Sequence, residues 1–151
     1  MTKKEWGHII WYFFHTLAYK LKDTESTHAN YLLEIFISIC HTLPCPYCRT
    51  DAVDLLKKAN TSIVKTKPDL IRFMWQFHNI VNKKLGKRDM TFEKHNVIYE
   101  NASTIDAINT YIGMLNQSSM SHFAISDART KQQHKIKMRN YLIENKWRFN
   151  P

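Results

Sequence analysis

Three glycines in 151 residues leave this chain few places to turn tightly. Glycine supplies the positive-φ positions that hairpins need. With only four prolines to add turns, an all-β fold is nearly excluded. The shortage also removes the glycine-rich phosphate loops, since neither G-x-G-x-x-G nor G-x-x-x-x-G-K-[ST] occurs. Apolar residues make up 44% of the chain, which excludes a disordered protein. The length suits one domain, or one domain with an appendage. Cys40, Cys45 and Cys48 are too few for a disulfide-stapled secreted module.

Residues 3–22 place Trp6, Ile10, Phe13, Phe14, Leu17, Ala18 and Leu21 at helical spacing. Residues 26–42 predict a second helix with Tyr31, Leu32, Ile35, Phe36 and Ile39 inward, capped by Ser26 or Thr27. Pro44 and Pro46 break the chain. A third helix opens at Cys45-Pro46-Tyr47-Cys48 and runs to Lys58, its proline at a tolerated first-turn position. Asn60 to Lys67 reads as a loop. Pro68-Asp69 starts a fourth helix that runs to Leu85, with Gly86 as the residue after its end. Shorter helices follow near Phe92–Tyr99, at 103–116 and at 126–146, with Ser118, Ser119 and Ser121 marking a joint between the last two. The expected fold is all-α: a four- or five-helix bundle over 1–100 with a helical, basic extension over 101–151.

The apolar run Ile9 to Phe14 behind Lys3 and Lys4 is too short for a secretory signal, and no small-residue cleavage site follows it. No stretch approaches the roughly 20 apolar residues of a membrane span. The expectation is an intracellular, soluble protein without a membrane partner, in a compartment where thiols are kept reduced.

The net charge is +9 and comes from 16 lysines against six arginines. Lysine, isoleucine and asparagine are all abundant, as coding by an AT-rich genome produces, so charge alone is weak evidence for an anionic partner. The last stretch stands out. Residues 127–151 hold Arg129, Lys131, Lys135, Lys137, Arg139, Lys146 and Arg148 against Asp127 and Glu144, interleaved with Tyr141, Leu142, Trp147 and Phe149. One reading is an amphipathic helix whose apolar side docks on the bundle or on a dimer mate. The other is a non-enzymatic module that binds nucleic acid through this tail.

Cys45-Pro46-Tyr47-Cys48 is the first motif that carries chemistry. Two cysteines at i, i+3 on a helix start can close a disulfide, and the helix N-terminus favours a thiolate. The pair suits dithiol–disulfide exchange. Cys40, His41, Cys45 and Cys48 also offer a zinc set, although no second ligand pair lies downstream. The same four-residue string marks glutaredoxins, but there it follows a β-strand, and Tyr31–His41 has a helical pattern. Cys40 lies on the apolar face with Phe36 and reads as an inert core thiol.

Two helices carry polar and aromatic groups at i, i+4 spacing: Trp11, His15 and Tyr19 on the first, and His78, Asn79 and Asn82 on the fourth, followed by Lys83, Lys84, Lys87 and Arg88. Taken singly, these are ordinary core or surface residues. Jointly they suit a flat aromatic cofactor with a diphosphate, stacked on rings and neutralised by the basic cluster.

Trp6-Gly7-x-x-x-Trp11-x-x-x-His15-x-x-Ala18-Tyr19, then Pro44-Cys45-x-x-Cys48, then His78-Asn79-x-Val81-Asn82-x-x-Leu85-Gly86-Lys87 resembles the Erv/ALR family of FAD-linked sulfhydryl oxidases. The resemblance covers the first hundred residues. It implies a helical bundle that holds FAD without a Rossmann fold, with Gly7, Trp11, His15, Tyr19, His78, Asn79, Asn82, Lys83, Lys87 and Tyr99 at the flavin site and Trp75 and Phe77 nearby. It implies that a substrate dithiol attacks Cys45, the more exposed sulfur, and that Cys48 lies against the isoalloxazine. The two electrons pass to FAD and then to O2, giving H2O2. His15 and His78 are expected to contact the flavin, not to act as general bases, and no metal is expected.

The family-implied substrate is another protein's dithiol, on a small thioredoxin-like carrier with its own C-x-x-C. A homodimer through the first two helices is also implied, and Tyr12, Phe13, Tyr31 and Phe36 read as exposed aromatics that allow it. Many relatives brace the segment after the fourth helix with a second disulfide, or carry a shuttle cysteine pair on a tail. Asp89–Asn101 has no cysteine, and no shuttle pair exists here. Both absences resemble the compact members encoded by large DNA viruses. That implies the cytoplasm of an infected cell, at the virus factory, or the virion.

Overall fold

A computed structural model describes residues 1–117 and 128–151. The expected joint at Ser118, Ser119 and Ser121 lies outside the described residues. Among these residues the helices are α1 (Lys3–Lys20), α2 (Ala29–Cys40), α3 (Pro46–Lys58), α4 (Lys67–Lys84), α5 (Phe92–Glu100), α6 (Thr104–Leu115) and α7 (Ala128–Asn145). The all-α expectation holds. Extended pairing among them is limited to one antiparallel bridge, Leu21 to Phe149.

Local chemistry sets most of the helix ends. Thr2 with Glu5, and Thr66 with Asp69, form capping boxes at α1 and α4. Thr91 and Ser103 cap α5 and α6. Gly86 follows α4 at φ +71°, a left-handed conformation that favours glycine.

Three expectations need correction. Ser26 and Thr27 do not cap α2: residues Asp23–His28 form a 3-10 turn that runs into it, and His28 makes no side-chain cap bond. Ser26 Oγ instead accepts from the Lys67 backbone N–H at 2.8 Å and ties this turn to the start of α4. Tyr31 is 51% exposed and does not point inward. Phe13 and Phe36, read as exposed, are buried, because α6 and α1 cover them: Phe13 stacks on Tyr111 at 4.3 Å and Phe36 meets Phe14 at 4.6 Å. Two of the four aromatics thus offer no dimer surface. The 60–67 loop also holds a short 3-10 turn, Thr61–Ile63.

Helix α1 is the centre of the molecule. It packs on α2, α4, α5 and α6, and every residue from Phe13 to Tyr19 is buried. The C-terminal segment closes the same core. Met138, Tyr141, Leu142 and Phe149 are buried with Leu21, Phe36 and Tyr111. Lys22 N–H donates to Arg148 O at 2.8 Å, Asn150 N–H to Lys20 O at 2.7 Å and Thr104 N–H to Pro151 O at 3.0 Å. Arg148 pairs with Glu25, and His28 Nε2 meets the Tyr141 hydroxyl at 2.9 Å. The apolar side of the tail therefore docks on its own bundle.

Met138 is fully enclosed, so Met138→Ala should cost about 2–5 kcal/mol in urea unfolding. Ile143 is 79% exposed on the same helix, and Ile143→Ala should change stability by less than about 0.5 kcal/mol. Equal, small effects would show that α7 does not belong to the core.

Candidate cofactor and disulfide site

The α1–α4 contact brings the predicted rings together. Trp11 stacks on His78 with centroids 3.9 Å apart and planes 8° apart. His15 lies nearly parallel to both, at 5.5 Å from Trp11 and 5.0 Å from His78. His15 Nε2 is 2.9 Å from His78 Nδ1. On its other side, His15 Nδ1 is 3.1 Å from His95 Nε2, and His95 Nδ1 is 2.8 Å from the Tyr19 hydroxyl. That hydroxyl donates to Asn96 Oδ1. The Tyr99 ring closes the cluster, 4.7 Å from both His15 and His95.

Trp11, His15, Tyr19, His78 and Tyr99 therefore share one site. Sequence reasoning missed His95 and Asn96. The spacing of His95 and Tyr99, i, i+4 like that of Trp11 and His15, is the signal that would have found the first.

The other predicted cofactor residues have distinct placements. Asn79 Oδ1 accepts from Met90 N–H and its Nδ2 donates to Met90 O, both at 3.0 Å. Trp75 Nε1 donates to the same oxygen at 2.7 Å. The Asn79 amide thus holds the chain between α4 and α5. Asn82 supplies its backbone oxygen to Lys87 N–H at 2.8 Å, and its half-buried side chain has no hydrogen bond among the described residues. Lys83 and Lys87 are exposed, outside any ion pair among the described residues. A Cβ added to Gly7 would meet nothing within 4 Å, so the protein leaves open space there. Phe77 packs 5.6 Å from Trp11.

Burial governs the titration of the cluster. It holds the His15 imidazole well below its ordinary pKa, and His95 and His78 add to the effect. His78 falls to about 4 through burial, then through His95 and the charge of Lys87. Burial takes His95 to about 4. Burial pushes Tyr19 upward, with Glu100 and Tyr99 adding, and raises Tyr99 to about 12. At neutral pH the site is three neutral imidazoles and two phenols.

The donor set fits a flat heterocycle carrying phosphates. It offers ring faces, a free carboxamide on Asn82, open space over Gly7 and unpaired lysines at the end of α4. Acidic side chains are absent from the cluster itself.

Cys45 and Cys48 form a disulfide at the start of α3, with Cα atoms 5.1 Å apart. Cys45 is the cap residue, and its sulfur accepts the Cys48 N–H at 3.2 Å. Both cysteines are half-buried, so burial does not rank one sulfur as the more exposed. Tyr47 between them is 83% exposed, which leaves the turn open to a partner. The helix N-terminus stabilises a thiolate once the pair is reduced. Cys40 is free and buried, and burial pushes its thiol up to about 12. Among the described residues, no group of His, Cys, Asp and Glu is placed to hold a metal ion. No described helix is long and apolar enough to cross a membrane.

A helical bundle with a two-cysteine helix start and a cluster of stacked rings, without glycine loops, defines a class of protein. The Erv1 / Alr family model matches residues 8–100, and the chain belongs to that family. It is 28% identical over 129 residues to a probable FAD-linked sulfhydryl oxidase of Acanthamoeba polyphaga mimivirus, covering 83% of each chain. It is 30% identical over 96 residues to the FAD-linked sulfhydryl oxidase of an African swine fever virus isolate, covering 63% of this chain and 80% of that one. It is 28% identical over 89 residues to an Arabidopsis thaliana FAD-linked sulfhydryl oxidase, covering 58% of this chain and 46% of that one. The viral relatives agree with the compact viral type that the missing cysteines suggested. No solved structure matches.

His78 and His95 bind a proton near pH 4 when folded and near 6.5 when unfolded. Between those values the unfolded state takes up more protons, so stability rises with pH there. Urea unfolding should give a plateau above about pH 7 and a progressive loss as pH falls from about 6.5 to about 4. A flat profile over that window would show the imidazoles to be solvated.

Proposed function

We propose that this chain is an FAD-dependent sulfhydryl oxidase that makes disulfide bonds in protein substrates. The observation that carries the reading is the Cys45–Cys48 disulfide on a helix N-terminus, packed, as Trp11 is, against the hydrophobic core, with Trp11 stacked on His78. Family membership over residues 8–100 supports it.

The exchange is a matter of this chain's own sulfurs. A substrate thiolate attacks Cys45, a mixed disulfide forms, and Cys48 leaves as the thiolate that the α3 N-terminus stabilises. A second substrate thiol resolves the mixed disulfide, leaving an oxidised substrate and a reduced Cys45–Cys48 pair. FAD, when bound, would supply the two-electron oxidation that restores this disulfide, with O2 as the final acceptor and H2O2 as its product.

Gly7, Trp11, His15, Tyr19, Cys48, His78, Asn79, Asn82, Lys83, Lys87 and Tyr99 are the residues assigned to hold FAD. The rings provide stacking faces and the lysines neutralise the diphosphate. Asn79 serves the site through its grip on Met90. Residues 1–100 form the oxidase unit in this reading, and 101–151 buttress it. The docked apolar side of the tail favours that role over nucleic-acid binding. A thioredoxin-like protein dithiol as substrate, a homodimer and a place in the infected-cell cytoplasm or virion complete the proposal.

The purified protein should show a flavin absorption spectrum and oxidise a dithiol with O2 uptake. Cys45→Ser and Cys48→Ser should both abolish that turnover, and Cys40→Ser should leave it intact. A colourless protein, or equal loss in all three variants, would overturn the reading.

A further inference from the structure

The three histidines pose a problem of proton direction. Each ring is neutral and owns one N–H. The contact between His78 Nδ1 and His15 Nε2, at 2.9 Å, needs one proton and one lone pair. So does the contact between His15 Nδ1 and His95 Nε2, at 3.1 Å. The rings are thereby locked into one sense: all three carry the proton on Nδ1, or all three carry it on Nε2.

The far end of the row decides which. Tyr19 has a single hydroxyl proton, and it goes to Asn96 Oδ1, an oxygen that only accepts. The Tyr19 oxygen therefore faces His95 Nδ1 as an acceptor at 2.8 Å, and that nitrogen must carry the proton. The burial that raises the Tyr19 pKa keeps the phenol protonated throughout the neutral range. Followed back along the row, His95 Nε2 accepts from His15 Nδ1–H, and His15 Nε2 accepts from His78 Nδ1–H. His78 Nε2 is left bare. Among the described residues it has no hydrogen-bond partner, and it is not a buried unsatisfied atom, so it is open at the end of the row.

We propose that His95, anchored by Tyr19 and Asn96, is a positioning residue that sets the proton direction through His15 and leaves His78 Nε2 as a lone-pair acceptor. The site then takes a ligand edge that donates an N–H or O–H to His78 and disfavours a carbonyl or phosphate oxygen there. Only the identity of the ligand rests on the FAD reading. FAD carries such donors in its ring imide, its adenine amine and its hydroxyls. A free imidazole prefers the proton on Nε2, so the row holds His78 in the opposite form.

Two-bond nitrogen–proton NMR on the full-length, 15N-labelled protein reads the tautomers directly. Between about pH 6 and 8, where these rings are neutral, all three should carry the proton on Nδ1. His95→Phe, and Tyr19→Phe as the milder variant that keeps the ring, should move His78 toward the Nε2–H form. Asn96→Asp keeps the acceptor and should preserve the wild-type pattern. Fluorescence titration with FAD should show about tenfold weaker binding to His95→Phe, as loss of one well-placed hydrogen bond produces. Nε2–H signals in the wild type, or a His78 tautomer unchanged by both phenylalanine variants, would overturn the proposal. A wild-type protein that shows the Nδ1–H pattern and yet binds no FAD would instead overturn the flavin reading alone.

Discussion

Helix α1 is buried without a break from Phe13 to Tyr19, and the rest of the molecule is arranged around that fact. Burying a polar group without a hydrogen-bond partner is costly, so such a helix needs protein partners for most of the polar groups it carries, the Thr16 hydroxyl being buried without one among the described residues. His15 and Tyr19 have such partners. They are met by His78 from α4 and by His95 and Asn96 from α5. The need to satisfy two buried side chains therefore fixes where two other helices lie. It also places a row of neutral rings beside Trp11, the candidate site.

The segment between α4 and α5 is held without a covalent brace. Asn79 and Trp75 put three hydrogen bonds on the Met90 backbone, and the Arg72 guanidinium lies 4.4 Å over the Phe92 ring. Each such bond contributes about 1 kcal/mol net, and together they suit a stretch with no cysteine. The polar motif around His78 thus divides by helical position. His78 faces α1, and Asn79, one residue on, faces the chain that follows α4.

The basic tail sorts in the same way. Met138, Tyr141, Leu142 and Phe149 enter the core that Leu21 and Tyr111 begin, while Ile143, Trp147 and most of the lysines and arginines stay outside. Arg148 is the exception, paired with Glu25 and stacked over Trp147. A family match that ends at residue 100 and a hydrophobic core that continues to Phe149 describe one packed body.

Periodicity and punctuation were enough to read the helices, the proline-opened α3, the glycine after α4 and the cysteine pair, because those depend on contacts within a few residues. The i, i+4 spacing of Trp11 and His15 was legible for the same reason. The start of α2 was not, since Ser26 spends its hydroxyl on Lys67, 41 positions away. Spacing put Phe13 and Phe36 on the inward faces, but the partners that cover them, Tyr111 and Phe14, are set by the tertiary fold. His95 and Asn96 gained their roles only when α5 was laid against α1, and the hydrogen bonds of Asn79 to Met90 likewise depend on how the chain after α4 folds back. The scarcity of glycine by itself ruled out the glycine-rich phosphate loops. Which helix faces meet, and which way their protons point, depends on partners 63 to 80 residues apart that only the tertiary fold brings within hydrogen-bond reach.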